Sequence, residues 1–155
     1  MRKKTLYGSL CLLCSLLLIA CSSDIVYSKI APISSDNWHC DSAACFDYTI
    51  TDTDATYNVL IYVRHTERYP YQNMWLFVSD NTRNDTIEFY LADDRGQWLG
   101  DKKHGFMEMP VLFEENLHYQ DSGTYHMTIR HGMRDTLLRG ITDVGVEIRK
   151  ANGQE

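Results

Sequence analysis

Tyr57-Asn58-Val59-Leu60-Ile61-Tyr62-Val63-Arg64-His65 alternates along its length. Tyr57, Val59, Ile61 and Val63 occupy every second position, the period at which a strand turns successive side chains to opposite faces. These four predict the buried face of a strand. A helix would gather its apolar residues at intervals of three and four, and no part of the chain sustains that spacing.

Reading outward from this segment extends the same pattern. Upstream, Cys45-Phe46-Asp47-Tyr48-Thr49-Ile50 begins the strand series, and Thr51-Asp52-Thr53-Asp54 is turn material. Downstream, Pro70 lacks an N–H and marks a turn or an edge. Met74-Trp75-Leu76-Phe77-Val78 is a continuous apolar run, expected as a strand covered on both faces with Trp75 in the core. Asp80 to Asp85 reads as a loop, and Ile87, Phe89 and Leu91 alternate after it. Gly96 to Gly105 is expected as a glycine-punctuated loop, and Pro110-Val111-Leu112-Phe113 as a short strand or irregular crossing. Asp121-Ser122-Gly123-Thr124-Tyr125, ahead of His126 to Arg130, has the form of a tyrosine corner. Val144, Val146 and Ile148 alternate in the last strand, and Leu137-Leu138 forms at most one helical turn before Gly140. Seven or eight short strands with turn signals predict an all-β fold, a single antiparallel β-sandwich of immunoglobulin-like or jelly-roll-like type. It is expected over residues 37–150, with 151–155 as a tail.

The start of the chain is organised differently. Arg2, Lys3 and Lys4 precede an apolar run from Leu6 to Ala20, which closes on Leu18-Ile19-Ala20-Cys21. The run is too short for a transmembrane helix, which needs about 20 apolar residues. Basic residues, an apolar core and a small residue before cysteine have the form of a lipoprotein signal peptide and its lipobox. Residues 1–20 are therefore expected to be cleaved, leaving Cys21 as a lipidated N-terminus that anchors the chain to a membrane. Residues 21–36 are expected as a tether or edge strand. All 21 acidic residues survive cleavage and three of the 15 basic ones do not, so the mature charge is 12 − 21 = −9. That balance excludes a nucleic-acid partner, because phosphate binding is carried by clustered lysine and arginine.

Cys11 and Cys14 leave with the signal, so Cys40 and Cys45 are the cysteines of the domain. Outside the inner membrane they are expected either as a disulfide or as two unpaired, partly buried thiols. Zinc on His39 and Cys40 is a weaker third option, since a structural site takes four ligands. The chain has no phosphate loop, no His-Glu-x-x-His and no nucleophile elbow, so no enzyme activity and no cofactor is expected. Trp98, in its glycine loop, is the strongest candidate for a glycan-stacking platform, against the alternative that it folds over the end of the sandwich.

Several segments together resemble a known family. Tyr69-Pro70-Tyr71-Gln72-Asn73-Met74-Trp75-Leu76-Phe77 looks like its Tyr-Pro-Tyr-x-Asn-x-Trp-Leu-Phe signature. Asp85-Thr86-Ile87, Leu91-Ala92-Asp93 and Gly96-x-Trp98-Leu99-Gly100 are similar to its central block. His131-Gly132-Met133-Arg134, Gly140-Ile141 and Asp143-Val144-Gly145 look like its C-terminal block. With the lipobox and Trp38, the chain resembles the GldH-type gliding-motility lipoproteins of Bacteroidetes, departing at Lys102, where a glycine is expected. The resemblance implies a non-catalytic envelope lipoprotein acting with other envelope proteins in gliding and the linked secretion system. A glycan- or peptidoglycan-binding lipoprotein is the alternative. Ser22, Ser23 and Asp24 lack both an inner-membrane retention signal and an acidic export cluster. The expected location is therefore the outer membrane, facing the periplasm, with the cell surface as the other side.

Arg134 carries one further expectation. Either its fork of donors staples the end of the sandwich, or it joins a contact surface with Tyr69, Tyr71 and Trp98. The staple needs no second protein and is the preferred expectation. Pro70, Asn73 and Gly100 belong to the same candidate loop-organising or contact set.

Overall fold

The computed structural model describes residues 24–81 and 83–151. Eleven strands follow in order: β1 (Ile25–Pro32), β2 (Asn37–His39), β3 (Ala44–Ile50), β4 (Thr56–His65), β5 (Asn73–Ser79), β6 (Asn84–Tyr90), β7 (Asp101–Lys103), β8 (Phe106–His118), β9 (Gly123–His131), β10 (Leu137–Arg139) and β11 (Ile141–Lys150). A five-stranded sheet in the order β1-β11-β4-β8-β7 faces a four-stranded sheet in the order β3-β9-β5-β6. A small ribbon of β10 and β2 stands beside them. All pairings of these strands are antiparallel. The fold is all-β with open sheets, as a sandwich requires.

Alternation explains the core. β4 turns Tyr57, Val59, Ile61 and Val63 inward, with His65 continuing the same phase. β11 adds Val144, Val146 and Ile148; β3, β5 and β9 answer from the other sheet with Phe46, Ile50, Met74, Leu76, Met127 and Ile129. Burying these side chains is the main favourable term, at roughly 1.5–3 kcal/mol for each large one. The tyrosine corner forms as expected: the Tyr125 hydroxyl donates to the Asp121 carbonyl at 2.7 Å.

Four segments differ from the sequence expectation. β5 is covered on one face only, because Trp75 and Phe77 point outward and are 38% and 43% exposed. β8 runs thirteen residues where a short crossing was expected. Pro110 fits inside it because β7 pairs only as far as Glu108, leaving β8 a free edge beyond that rung. Part of the expected glycine loop, Asp101 to Lys103, is β7, joined to β8 by a two-residue turn with Gly105 at φ +91°. Lys102, the departure from the family pattern, pairs with Met107 in this hairpin. Leu137 and Leu138 form β10 rather than a helical turn, pairing with His39 and Trp38.

β1 is integral to the five-stranded sheet, so the folded sandwich includes residues from Ile25 onward. At the end where β1, β4 and β9 begin, Tyr27, Tyr48, Tyr57, Tyr119 and Tyr125 form one aromatic cluster. At the other end His65, Tyr69, Tyr71 and Trp98 form a second.

Candidate functional site

The second cluster is built on the loop between β4 and β5. Tyr69 is buried, and its hydroxyl donates to the Asn73 carbonyl at 2.7 Å. Burial, with the nearby charge of Asp135 adding to it, pushes this phenol far above its ordinary range. Gly140 passes directly beneath Tyr69 at φ +82°, and its own N–H donates to the Asp36 carbonyl. Trp98 lies edge-on to His65 with ring centroids 4.7 Å apart and is half-buried. Gly100, at φ +80°, lets the chain cross so near β8 that a Cβ would overlap the Glu108 carbonyl. These residues are therefore scaffolding. Trp98 packs over the sandwich end against His65 and Tyr69, the alternative set against a stacking platform.

Two buried histidines support the same end. The Nδ1 of His65 lies 3.2 Å from the Thr66 carbonyl, and the Nε2 of His131 lies 3.0 Å from the Trp38 carbonyl. Burial pushes both imidazoles below their ordinary range, so they stay neutral. Trp38 is itself core, with its indole N–H donated to the Ser42 carbonyl.

Beside this scaffold the outer surface of the four-stranded sheet is open. The loop segment and the start of β5 present Tyr71, Asn73, Trp75 and Phe77; the turn after β9 presents Gly132, Met133 and Arg134. A concavity of about 430 Å³ lies between Tyr71, Asn73, Trp75, Gly132, Met133 and Arg134. The Phe77 ring packs over Gly132, where a Cβ would meet it at 3.0 Å and Trp75 Cβ at 3.2 Å. Tyr90, 55% exposed and opposite Asn73 in the ladder, extends the aromatic surface sideways. Tyr71 donates to Asp135 at 2.8 Å, which raises the phenol's pKa, and Asn73 donates to Glu88 at 2.6 Å.

Of the residues singled out from sequence, Tyr71, Asn73 and Arg134 meet here, while Tyr69, Trp98 and Gly100 lie behind as support. Pro70 is exposed on the connecting loop. Arg134 is a correction. It is exposed and forms no ion pair or side-chain hydrogen bond among the described residues, because the turn Gly132–Asp135 projects it outward; it staples nothing. Trp75 was missed as a surface residue because its inward neighbours Met74 and Leu76 are equally apolar. Cys40 and Cys45 are free thiols: Cys45 takes an outward position on β3 beside Ala43, while Cys40 leaves β2 next to His39. The donor atoms of His39, Cys40 and Asp41 lie within 4.8 Å of one another, short of the four ligands of structural zinc. Cys21 lies outside the described residues.

A larger hollow of about 590 Å³ sits at the opposite end, between Asp80–Arg83 and Leu117–Tyr125. Arg83 there is already paired with Asp80, Asp85 and Glu114.

The strands that form both ends fall within one family match. The model for the GldH lipoprotein covers residues 25–148. The chain belongs to the GldH lipoprotein family. It is 29% identical over 151 residues to the gliding motility lipoprotein GldH of Flavobacterium johnsoniae, covering 90% of this chain and 93% of that one. It is 30% identical over 149 residues to the GldH homolog of Christiangramia forsetii, covering 88% and 91%. Membership makes the chain a membrane-anchored lipoprotein of a motility-related family.

Proposed function

We propose that this lipoprotein is anchored through Cys21 in the outer membrane, with its domain in the periplasm, as a non-catalytic component of the gliding-motility and associated secretion apparatus. The observation that carries the reading is the open aromatic surface of the four-stranded sheet, joined to a family whose named relatives are gliding motility lipoproteins. Exposed Trp75, Phe77 and Tyr90 make a recognition surface, and the buried histidines behind it each keep one ring nitrogen against a backbone carbonyl. Ser22, Ser23 and Asp24 alone separate Cys21 from β1, a reach of at most about 14 Å. The end where β1 begins therefore stands at the bilayer, and the concavity lies toward the far end.

In cells, Cys21→Ala is expected to abolish fatty-acid labelling; labelling that persists refutes the anchor. Deleting the gene in its own host is expected to stop gliding or secretion of the linked cargo, and wild-type behaviour of the deletion strain refutes the role. Protease added to intact cells is expected to leave the domain uncut, whereas its removal places it on the surface.

A further inference from the structure

The outer surface of the four-stranded sheet sorts its charges by side. β5 turns Trp75 and Phe77 outward along the middle, 38% and 43% exposed. On the β6 side Glu88 stands opposite Trp75 in the ladder, with Thr86 opposite Phe77 and Tyr90 opposite Asn73. Glu88 accepts from Asn73 at 2.6 Å and joins no ion pair among the described residues. On the β9 side Arg130 stands opposite Phe77, and Arg134 follows in the turn beyond Gly132. Both are exposed and join no ion pair among the described residues. Arg68, Arg95 and Arg139 are unpaired as well, but they belong to end loops and to β10, not to this sheet.

Such a surface is complementary to itself under one operation. A two-fold axis lying along β5 sets the aromatic stripe on its own copy and exchanges the two sides. Glu88 then comes opposite the second copy's Arg130 and Arg134, and the arginines of the first copy meet the second copy's Glu88. An axis across the strands instead sets the β6 side on the β6 side, carboxylate against carboxylate and arginine against arginine, which like-charge repulsion disfavours.

Anchorage selects the same axis. Three residues separate Cys21 from β1, so each copy directs the end where β1 begins at its membrane. Rotation about an axis along the strands leaves both of those ends on one side, facing one bilayer. Rotation across the strands sends them to opposite sides.

The area sets how such a pair is held. Strands seven residues long at about 3.4 Å per residue, four of them about 4.8 Å apart, give a face of about 450 Å² per copy. The two faces together bury about 900 Å², less than the roughly 1,200–2,000 Å² of stable complexes in solution. A shared bilayer raises the effective concentration and makes a contact of this size sufficient.

We infer that two copies of this lipoprotein in one membrane pair through the outer surfaces of their four-stranded sheets, about a two-fold axis along β5. Trp75 and Phe77 lie at the centre of the contact, and Glu88 faces the second copy's Arg130 and Arg134. The inference rests on the anchor and the recognition surface proposed above, and it names a second copy as what that surface meets.

The test uses the full lipidated chain in the membranes of intact cells, with Cys40→Ser and Cys45→Ser as background. Ser79, in the outward phase of β5, lies on the axis and faces its own copy. Leu112, 52% exposed on β8 of the other sheet, does not. On oxidation, Ser79→Cys is expected to give a disulfide-linked dimer and Leu112→Cys a monomer. Arg130→Glu with Arg134→Glu, and separately Glu88→Arg, should each lower the Ser79→Cys dimer at least about tenfold. The two charge variants, carrying different tags and expressed together, should recover the dimer between unlike tags, which also shows that both fold. Equal crosslinking at the two cysteine positions overturns the inference, as do charge variants that leave the dimer unchanged or fail to recover it together. Fatty-acid labelling is followed in the same cells: labelled protein that stays monomeric overturns the pairing and leaves the anchor standing, whereas unlabelled protein overturns both.

Discussion

Gly140→Ala tests whether the loop carrying Tyr69 depends on close backbone contact. Two costs add. At φ +82° a residue with a Cβ loses roughly 1–2 kcal/mol relative to glycine. The new Cβ would also overlap the Tyr69 nitrogen, with the Arg68 carbonyl carbon and Tyr69 Cα both at 2.8 Å. These are backbone atoms and cannot rotate away, so the overpacking cost of about 1–3 kcal/mol applies in full. The total is about 2–5 kcal/mol. Gly105→Ala is the internal control. Gly105 sits at φ +91°, but a Cβ there meets nothing within 4 Å, so only the first cost remains. Urea unfolding of the two variants should separate them by about 1–3 kcal/mol. With roughly 4 °C of melting temperature per kcal/mol for a domain of this size, the difference is about 4–12 °C. Equal destabilisation refutes the close-contact argument and leaves backbone conformation as the whole effect.

Two further outcomes follow from the same end of the sandwich. Arg134→Lys should leave stability within about 0.5 kcal/mol of wild type, because the exposed guanidinium joins no network among the described residues; a melting temperature several degrees lower contradicts this. His65 and His131 are buried with lowered pKa values, so unfolding lets them take up protons that the fold refuses. Their contribution is present at pH values above the ordinary imidazole value of about 6.5 and is lost as pH falls below it, by at most about 1.4 kcal/mol per pH unit for each histidine. Urea midpoints taken from neutral pH down to the carboxylate range measure the slope. His65→Phe, whose ring can still pack on Trp98 and Tyr69, should roughly halve it, and an unchanged slope removes His65 from the account.

Alternation made β4 legible because one phase is apolar and the other includes Asn58, Arg64 and Tyr62. The same rule failed at β5, where Trp75 and Phe77 make the outer phase as apolar as the inner; hydrophobicity alone cannot tell a covered surface from an open one. β8 was hidden by Pro110, by register shifts opposite Val59 and by Asn116 at φ +55°. Each breaks the period that marks a strand. The candidate site was partly legible. Tyr69, Trp98 and Gly100 belong to recognisable motifs because the loop packing needs them, whereas the open concavity depends on which way Trp75 and Arg134 point. That direction is set by strand phase and by a turn, and neither is visible in a short motif.

β1 lies at the edge of its sheet, runs away from the anchored end, and pairs with β11 through seven registered positions from Ile25 to Pro32. If the lipid sits on Cys21, as proposed above, and a partner is held toward the far end, tension between them enters the domain at Ile25 along the strand axis. The β1–β11 hydrogen bonds are then strained side by side, in shear, rather than peeled open one at a time. A domain loaded in that direction would resist the loss of its first strand better than one peeled from the same edge.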